Sequence, residues 1–336
     1  MIEARDITID ELEATAAELG ISLPIEQTSA WSRYQATIDG RTPWGCVALE
    51  EHDADGAPHT VALASLFDYE THGYHYLRTN HAPVWVETPT PEQEAVGIEA
   101  LAAHVHKRDH KQVFIRLSVL ADLPACEPTL SGIPYDHTVI IDVTGGDEAI
   151  LSRMKPRGRR DVRKSLRESP ATCADETELA AKSFEEYYDV MRETGERDGF
   201  HPAPCSDYED MIRILGPKHC RVYAGRIDGR VVTWSIVTIS GTRGVRYYGA
   251  SRNDTMRQHV TDKLVYFECC DLGANKGCLD YDMMAIGSDF SPKLMGLNEF
   301  KTKFTKEVAE VAPDRDLPLR HTFYKALVTA KKIRDR

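Results

Sequence analysis

Apolar residues recur every three to four positions over residues 7–18, where Ile7, Leu12, Ala14 and Ala17 stand among acids, and this period predicts an amphipathic helix. A second, shorter helix is expected over 29–37. Alternation then takes over. Residues 45–49, 59–66 and 74–77 read as consecutive strands, with Asp53-Ala54-Asp55-Gly56 supplying turn chemistry between the first two. Thr90-Pro91-Glu92 opens a helix running to about residue 106, with Pro at an early helical position, and 112–117 is a strand.

The order then recurs. A strand over 137–143 precedes a helix starting at Asp147 and another over the basic segment that follows. Helices over 183–196 and 208–215 lead into strands at 220–226, 231–239 and 244–250, the first two joined by the hairpin signal Ile227-Asp228-Gly229-Arg230. A long helix over 260–275 delivers the chain to a strand at 279–283. Each half therefore reads as helices, a meander of strands, a helix and a further strand. The repetition predicts an α/β protein of two tandem domains with mixed sheets flanked by helices. The first spans 1–135 and is completed by a C-terminal helix, 310–336, whose basic part is 321–332; the second spans 136–309, with the join near Ser131-Gly132-Ile133-Pro134.

A chain of 336 residues suits two domains of average size. No apolar run reaches the 18 residues a membrane helix needs, and Met1-Ile2-Glu3-Ala4-Arg5-Asp6 lacks a signal-peptide core, so a cytoplasmic location is expected. The eight cysteines include no C-x-x-C pair and read as free thiols. His104, His106 and His110 lie among Lys and Arg and read as a polar helix end, so no metal and no cofactor is expected. A net charge of −12 argues against general nucleic-acid binding, yet residues 153–167 hold eight basic side chains and one acid. That segment suits local recognition of a polyanion; a solvated helix face is the competing reading.

Candidate chemistry concentrates near the end. Gly287-Ser288-Asp289-Phe290 leads through Gly296-Leu297-Asn298-Glu299 to Phe300-Lys301-Thr302-Lys303-Phe304, just after a core strand. A lysine there can bind a phosphate or stabilise a developing oxyanion. Alternatively, Phe300 fills the core and Lys301 snorkels to water. Asp280 and Asp282, two apart on one strand face, read as solvation or capping, and no general base is assigned.

Helices, a meander and a central helix at its end form the order of the GNAT acyltransferase fold. Acyl-CoA enzymes of that fold place a glycine-bearing R-x-x-G-x-G/A loop before the central helix, where backbone N–H groups hold pyrophosphate. Here the stretch is Arg252-Asn253-Asp254-Thr255-Met256-Arg257-Gln258-His259-Val260-Thr261, with no glycine, which disfavours an acyl-CoA donor.

A tandem GNAT-like chain with a degenerate loop resembles the FemABX family of tRNA-dependent aminoacyltransferases, which build interpeptide bridges of peptidoglycan. The resemblance covers most of the chain and is collective. It rests on Gln27-Thr28-Ser29-Ala30-Trp31, the stretch from Tyr76 to Pro83-Val84, Thr138-Val139-Ile140-Ile141-Asp142-Val143, and Arg160-Asp161-Val162-Arg163-Lys164-Ser165. Glu193-Thr194-Gly195-Glu196-Arg197-Asp198-Gly199-Phe200, Tyr247-Tyr248-Gly249-Ala250-Ser251, Tyr281-Asp282 with Gly287, and Gly296-Leu297-Asn298-Glu299-Phe300-Lys301 complete it.

The resemblance implies transfer of an amino acid from aminoacyl-tRNA to an amine of the muramyl stem peptide, lipid-linked or UDP-linked. It implies Lys301 as the oxyanion-stabilising cation, and Arg197, Tyr248, Tyr76 and Phe300 as substrate contacts. Arg157, Arg159, Arg160, Arg163 and Lys164 would meet the tRNA; so would Lys303, if its segment is extended. For Arg197 the bland alternative is an i,i+4 salt bridge with Glu193; for the tyrosines it is the core. A monomer with peripheral contact at the cytoplasmic membrane face is expected. Two departures stand out: Gln35 replaces a phosphate-binding Lys of some family members, and Ala82 replaces a Gly before Pro83. With only thirteen residues between Ile286 and Phe300, no coiled-coil arm is expected. Transfer to a small natural product or a protein N-terminus, or a non-catalytic binding module, are the competing functions.

Overall fold

The computed structural model describes residues 2–52 and 56–334, so the expected Asp53-Ala54-Asp55 turn lies outside the described residues. The chain divides into two compact units, Met1–Asp136 with Val311–Arg336, and His137–Glu310. The first part of unit 1 runs β1 (Ile2–Ile7), α1 (Ile9–Glu18), α2 (Ser29–Gln35), β2 (Arg41–His52), β3 (Pro58–Thr71), β4 (Tyr74–Arg78), β5 (Val84–Trp85), α3 (Pro91–Arg108) and β6 (Gln112–Ser118). Unit 2 opens with β7 (His137–Asp142), α4 (Asp147–Arg153), α5 (Pro156–Glu168), β8 (Thr172–Asp175), α6 (Thr177–Ala180), α7 (Glu185–Asp198) and α8 (Cys205–His219). It continues with β9 (Cys220–Ile227), β10 (Arg230–Ser240), β11 (Arg243–Ser251), α9 (Val260–Asn275), β12 (Asp280–Ala285), α10 (Asn298–Lys301) and β13 (Ala309–Glu310). The chain returns to unit 1 for β14 (Asp314–Pro318) and α11 (His321–Arg334).

The first helix starts later than its apolar period suggested. Thr8 and Glu11 form a capping box: the Thr8 hydroxyl accepts from Glu11 N at 3.1 Å, and the Glu11 carboxylate accepts from Thr8 N at 2.6 Å. That box ends the preceding segment as an edge strand, β1, paired antiparallel to β2 from Ile2↔Glu51 to Ile7↔Cys46. The sheet of unit 1 has the order β1-β2-β3-β4-β6-β14, with β5 added on β3 and a parallel step only between β4 and β6. Its core joins Val47, Leu49, Ala62 and Leu66 of the meander to Ile98, Leu101 and Val105 of α3.

What fastens the returning segment is ionic. Arg116 on β6 and Asp316 on β14 form a bidentate pair at 2.7 and 2.9 Å, with side chains 4% and 0% exposed. The same carboxylate accepts from Leu130 N and from the Tyr324 hydroxyl of α11.

Unit 2 repeats the plan with the order β13-β7-β12-β11-β10-β9-β8, and its parallel step lies between β11 and β12. Leu264, Val265, Cys269 and Leu272 of α9 pack into the core beside Tyr223, Val237 and Tyr281. Gly273 permits close docking of that helix, since a Cβ there would stand 2.0 Å from the Val143 carbonyl.

Asp316→Ala leaves a buried guanidinium unpaired and should lower the unfolding free energy by about 3–5 kcal/mol. Urea denaturation monitored by fluorescence checks this; a loss under about 1 kcal/mol contradicts the anchoring role.

Candidate active site

Lys301 closes α10, and its amine is turned back onto the end of β12, donating to the carbonyls of Ala285 at 2.8 Å and Met284 at 3.3 Å. Two features hold those carbonyls. Met284 adopts a left-handed backbone (φ 59°), and the register of β12 on β7 slips between Asp282 and Ala285. Asp282 braces this irregularity by accepting from Met284 N at 2.7 Å and from the Thr138 hydroxyl. The 287–298 loop is clamped shut by Asn298, whose amide accepts from Gly287 N at 2.7 Å and donates to Gly287 O at 2.9 Å. A Cβ on Gly287 would lie 2.3 Å from Met295 N, so only glycine fits. Burial, and then the charge of Arg246, push the Lys301 amine down to about 8, against a smaller opposing pull from Asp282.

Behind the lysine lies a buried polar cluster that pattern reading passed over. Glu268 of α9 is 0% exposed. It accepts from the Tyr281 hydroxyl at 2.5 Å, from Arg246 Nη1 at 2.8 Å and from the Ser235 hydroxyl. The signal was a lone acid inside Tyr266-Phe267-Glu268-Cys269-Cys270, an otherwise apolar helical stretch.

The other expected site residues fall into three groups. Phe300 is partly buried and packs edge-on against Phe304 with ring centroids 5.4 Å apart, so it serves as a wall beside Lys301. Tyr248 is half-buried on β11, with Tyr208 5.0 Å and Tyr247 5.3 Å away. Tyr76 belongs to unit 1, 8% exposed and stacked on Phe114 at 4.6 Å, where it lines a cavity of about 380 Å³ with Tyr74, Leu130 and Leu327. One side of its ring is thus spent on core packing and the other borders that cavity.

Arg197 is committed inside unit 2. It donates to Ser251 O at 2.8 Å, to Asn253 Oδ1 at 2.7 Å and to both oxygens of Asp198, so it ties α7 to the end of β11 and does not present an open fork to phosphate. The i,i+4 bridge to Glu193 is also replaced, because Glu193 pairs with Arg252 at 3.1 Å and accepts from Asn253 N at 2.6 Å. Glu193-Thr194-Gly195-Glu196-Arg197-Asp198-Gly199-Phe200 has a local logic: Gly199 is the left-handed cap of α7 (φ 76°), and a Cβ on Gly195 would meet Phe200 O at 2.6 Å.

On α5, Gly158, Val162 and Ser165 face the core, and the opposite face carries Arg160, Arg163 and Arg167, all exposed. Lys164 and Arg157 flank that face, Arg157 paired with Glu299 at 2.5 Å. Arg159 differs, since it folds onto its own helix start and donates to Met154 O at 2.6 Å.

Lys303 requires a correction. The segment 298–304 is helical and not extended, which turns this lysine inward, 8% exposed, onto Asp262 at 2.6 Å and Asp161 at 3.6 Å. It is not a tRNA contact. Asp262 lies in the first turn of α9, so the helix end that in an acyl-CoA enzyme faces pyrophosphate carries a carboxylate neutralised from within. Gly158 makes this packing possible, as a Cβ there would stand 2.1 Å from Lys303 O.

No cysteine is prepared as an acyl carrier. Burial raises every one: Cys126, Cys205 and Cys278 to about 11, and Cys173, Cys220 and Cys270 to about 12, with Cys46 and Cys269 also raised. Among the described residues no group of His, Cys, Asp and Glu could hold a metal, and no helix is long and apolar enough to cross a membrane.

The fold is a tandem GNAT fold. Residues 156–301 match the acetyltransferase (GNAT) domain family. Among solved structures, FemX shares the fold with a TM-score of 0.73 at 16% identity, covering 96% of this chain and 99% of that one. A tandem GNAT protein from the clavulanic acid biosynthesis pathway aligns with a TM-score of 0.55 at 10% identity, over 94% and 97% of the two chains. The C-terminal domain of an Agrobacterium fabrum protein described as a lysylphosphatidylglycerol synthetase gives 0.54 at 12% identity, over 92% of each. No curated protein sequence matches the chain. The fold is the FemABX-type tandem GNAT fold, with the acyltransferase domain match lying in unit 2.

Because Lys303 neutralises a buried carboxylate, Lys303→Met should destabilise the protein by about 3–5 kcal/mol. Chemical denaturation checks this; a loss under about 1 kcal/mol would contradict the internal ion pair.

Proposed function

We propose that this protein transfers an aminoacyl group from aminoacyl-tRNA to an amine of a peptidoglycan stem peptide. The single observation that carries the reading is Lys301. It is a half-buried ammonium, oriented by two carbonyls at a strand end, in a chain whose fold matches FemX from end to end. The amine nitrogen attacks the ester carbonyl, and Lys301 stabilises the oxyanion of the tetrahedral intermediate. The C–O bond to the terminal ribose then breaks, an amide forms, and the proton lost by the amine passes to the departing ribose hydroxyl. That route asks for no protein base, in keeping with Asp280 paired to Arg243 and Asp282 spent on the bulge. It also asks for no acyl-enzyme, in keeping with the inert thiols.

The exposed face of α5 supports a phosphate backbone, and the carboxylate at the start of α9 speaks for a donor other than acyl-CoA. In unit 1, buried Gln35 accepts from Arg41 at 2.9 Å and from the Tyr69 hydroxyl at 3.2 Å, so a guanidinium stands beside the place where some family members carry lysine. That cation suits a diphosphate-linked acceptor, soluble or lipid-borne, at the cytoplasmic membrane face. The likeness to a tandem GNAT protein of clavulanic acid biosynthesis keeps a small-molecule acceptor as the second reading.

The test is purified protein with charged total tRNA and UDP- or lipid-linked muramyl pentapeptide, read by mass spectrometry. An aminoacyl mass increment on the peptide is expected; none with either acceptor, from protein that binds charged tRNA, overturns the acceptor assignment. Lys301→Ala should lower kcat by about 100-fold or more with little change in tRNA affinity. The wild-type rate should fall as pH rises through about 8, where the ammonium is lost, and Lys301→Arg should keep whatever activity it retains above that pH. An unchanged alkaline limb in Lys301→Arg refutes the cation role. Replacing Arg160, Arg163 and Arg167 with Gln should weaken tRNA binding and reduce the salt slope by roughly one per charge removed; an unaltered slope removes α5 from the interface.

A further inference from the structure

Arg246 is the most fully prepared cation of unit 2, and the mechanism above gives it no task. Its side chain is 9% exposed, yet only Nη1 is engaged, at 2.8 Å from Glu268. Nε and Nη2 hydrogen-bond to no acceptor among the described residues, and neither is sealed from solvent. These two donors share one edge of the guanidinium plane, the edge that takes two coplanar oxygens. The nearby Tyr281 hydroxyl spends its own proton on Glu268, and its oxygen also meets the guanidinium.

The backbone explains why that edge is open. Pairing of β10 with β11 slips so that Ile236 faces Tyr248 and Val237 faces Arg246, leaving Tyr247 as an extra residue. The slip breaks the alternation of faces and brings Gly249 over the arginine. A Cβ at Gly249 would stand 3.0 Å from both Nε and Nη2, and Gly249 is itself exposed. Any side chain at 249 shades the edge; glycine leaves it uncovered. Lys301 shares the neighbourhood, since the guanidinium acts on its amine. The two cations are matched by Glu268 and Asp282, so what the open edge offers an anion from outside is a pair of unspent charge-assisted donors and not surplus charge.

We propose that the Nε/Nη2 edge of Arg246 is a carboxylate-binding fork that seats a carboxyl group of the acceptor beside Lys301, with Glu268 holding the far side of the guanidinium. The fork would select acceptors that carry a free carboxylate near the reacting amine, as a stem peptide does; naming that acceptor rests on the transfer reading above, whereas the fork itself does not.

The test needs neither tRNA nor turnover, so its failure is separable from failure of the transfer reading. Protein labelled with 15N-arginine would be titrated with acetate, with its neutral isostere acetamide, and with inorganic phosphate, following the Arg246 Nε–Hε signal assigned by its loss in Arg246→Lys. Should that variant fold poorly, triple-resonance assignment of the wild type replaces it. Acetate should move the signal saturably and acetamide should not. Gly249→Val should weaken acetate by about ten-fold or more, the worth of a charge-assisted pair; Gly249→Ala, a smaller change on an exposed strand, should weaken it less. A signal indifferent to acetate, an equal response to acetamide, or acetate affinity unchanged in both Gly249 variants overturns the fork. Saturation by phosphate at much lower concentration than acetate overturns the carboxylate assignment and makes it a phosphoryl site.

Discussion

A single buried carboxylate organises unit 2. Glu268 projects from α9 into the core, 0% exposed, and a charge in that position is tolerated only when its oxygens are saturated. Saturation draws one donor from each of three strands: Ser235 from β10, Arg246 from β11 and Tyr281 from β12. The pairing of β11 with β12 extends only from Arg243↔Asp280 to Val245↔Asp282. Beyond that point the carbonyls of Met284 and Ala285 are free to receive Lys301. The site lies where the two strands part, and Glu268 fixes the strands just before they do.

The same helix end has two uses within this fold. In an acyl-CoA enzyme the first turn of the central helix presents bare N–H groups to a pyrophosphate. Here Asp262 already supplies the negative charge, Lys303 neutralises it, and α5 closes over both through Gly158. The outcome is an internal ion pair where a cofactor's phosphates would otherwise approach. The same packing holds α5 with its outer face, carrying Arg160, Arg163 and Arg167, exposed; under the proposed function that face is where the polyanion would be recognised.

Much of this was legible in the chain because it depends on local period. The meanders, the two long helices of the site's unit and the basic helix follow from alternation and from the 3.6-residue repeat. What escaped depends on long-range partners. Ile2–Ile7 is too short and too acidic to announce a strand, and becomes one because β2 offers an edge. Lys303 reads as a surface cation until residues 298–304 wind into helix and turn it onto Asp262. Arg197 looks like an open anion ligand until Asp198 takes its Nε and Nη2, and Ser251 O and Asn253 take its Nη1. Lys301 could be placed from its position after a core strand, whereas its partners, two main-chain carbonyls, have no side-chain signature. Glu268 and Arg246 were visible only as polar residues in apolar company.

The route of the chain through unit 1 has a consequence for how the protein is made. Arg116 waits for Asp316, 200 residues later, and every residue of unit 2 is synthesised in between. On the ribosome, the inserted unit can therefore gather all its strands while its host still lacks one. Until β14 arrives, unit 1 carries an unpaired guanidinium and an uncovered sheet edge at β6, the kind of edge that invites a wrong partner. The order of translation makes the second unit the first to finish and leaves unit 1 dependent on its last strand.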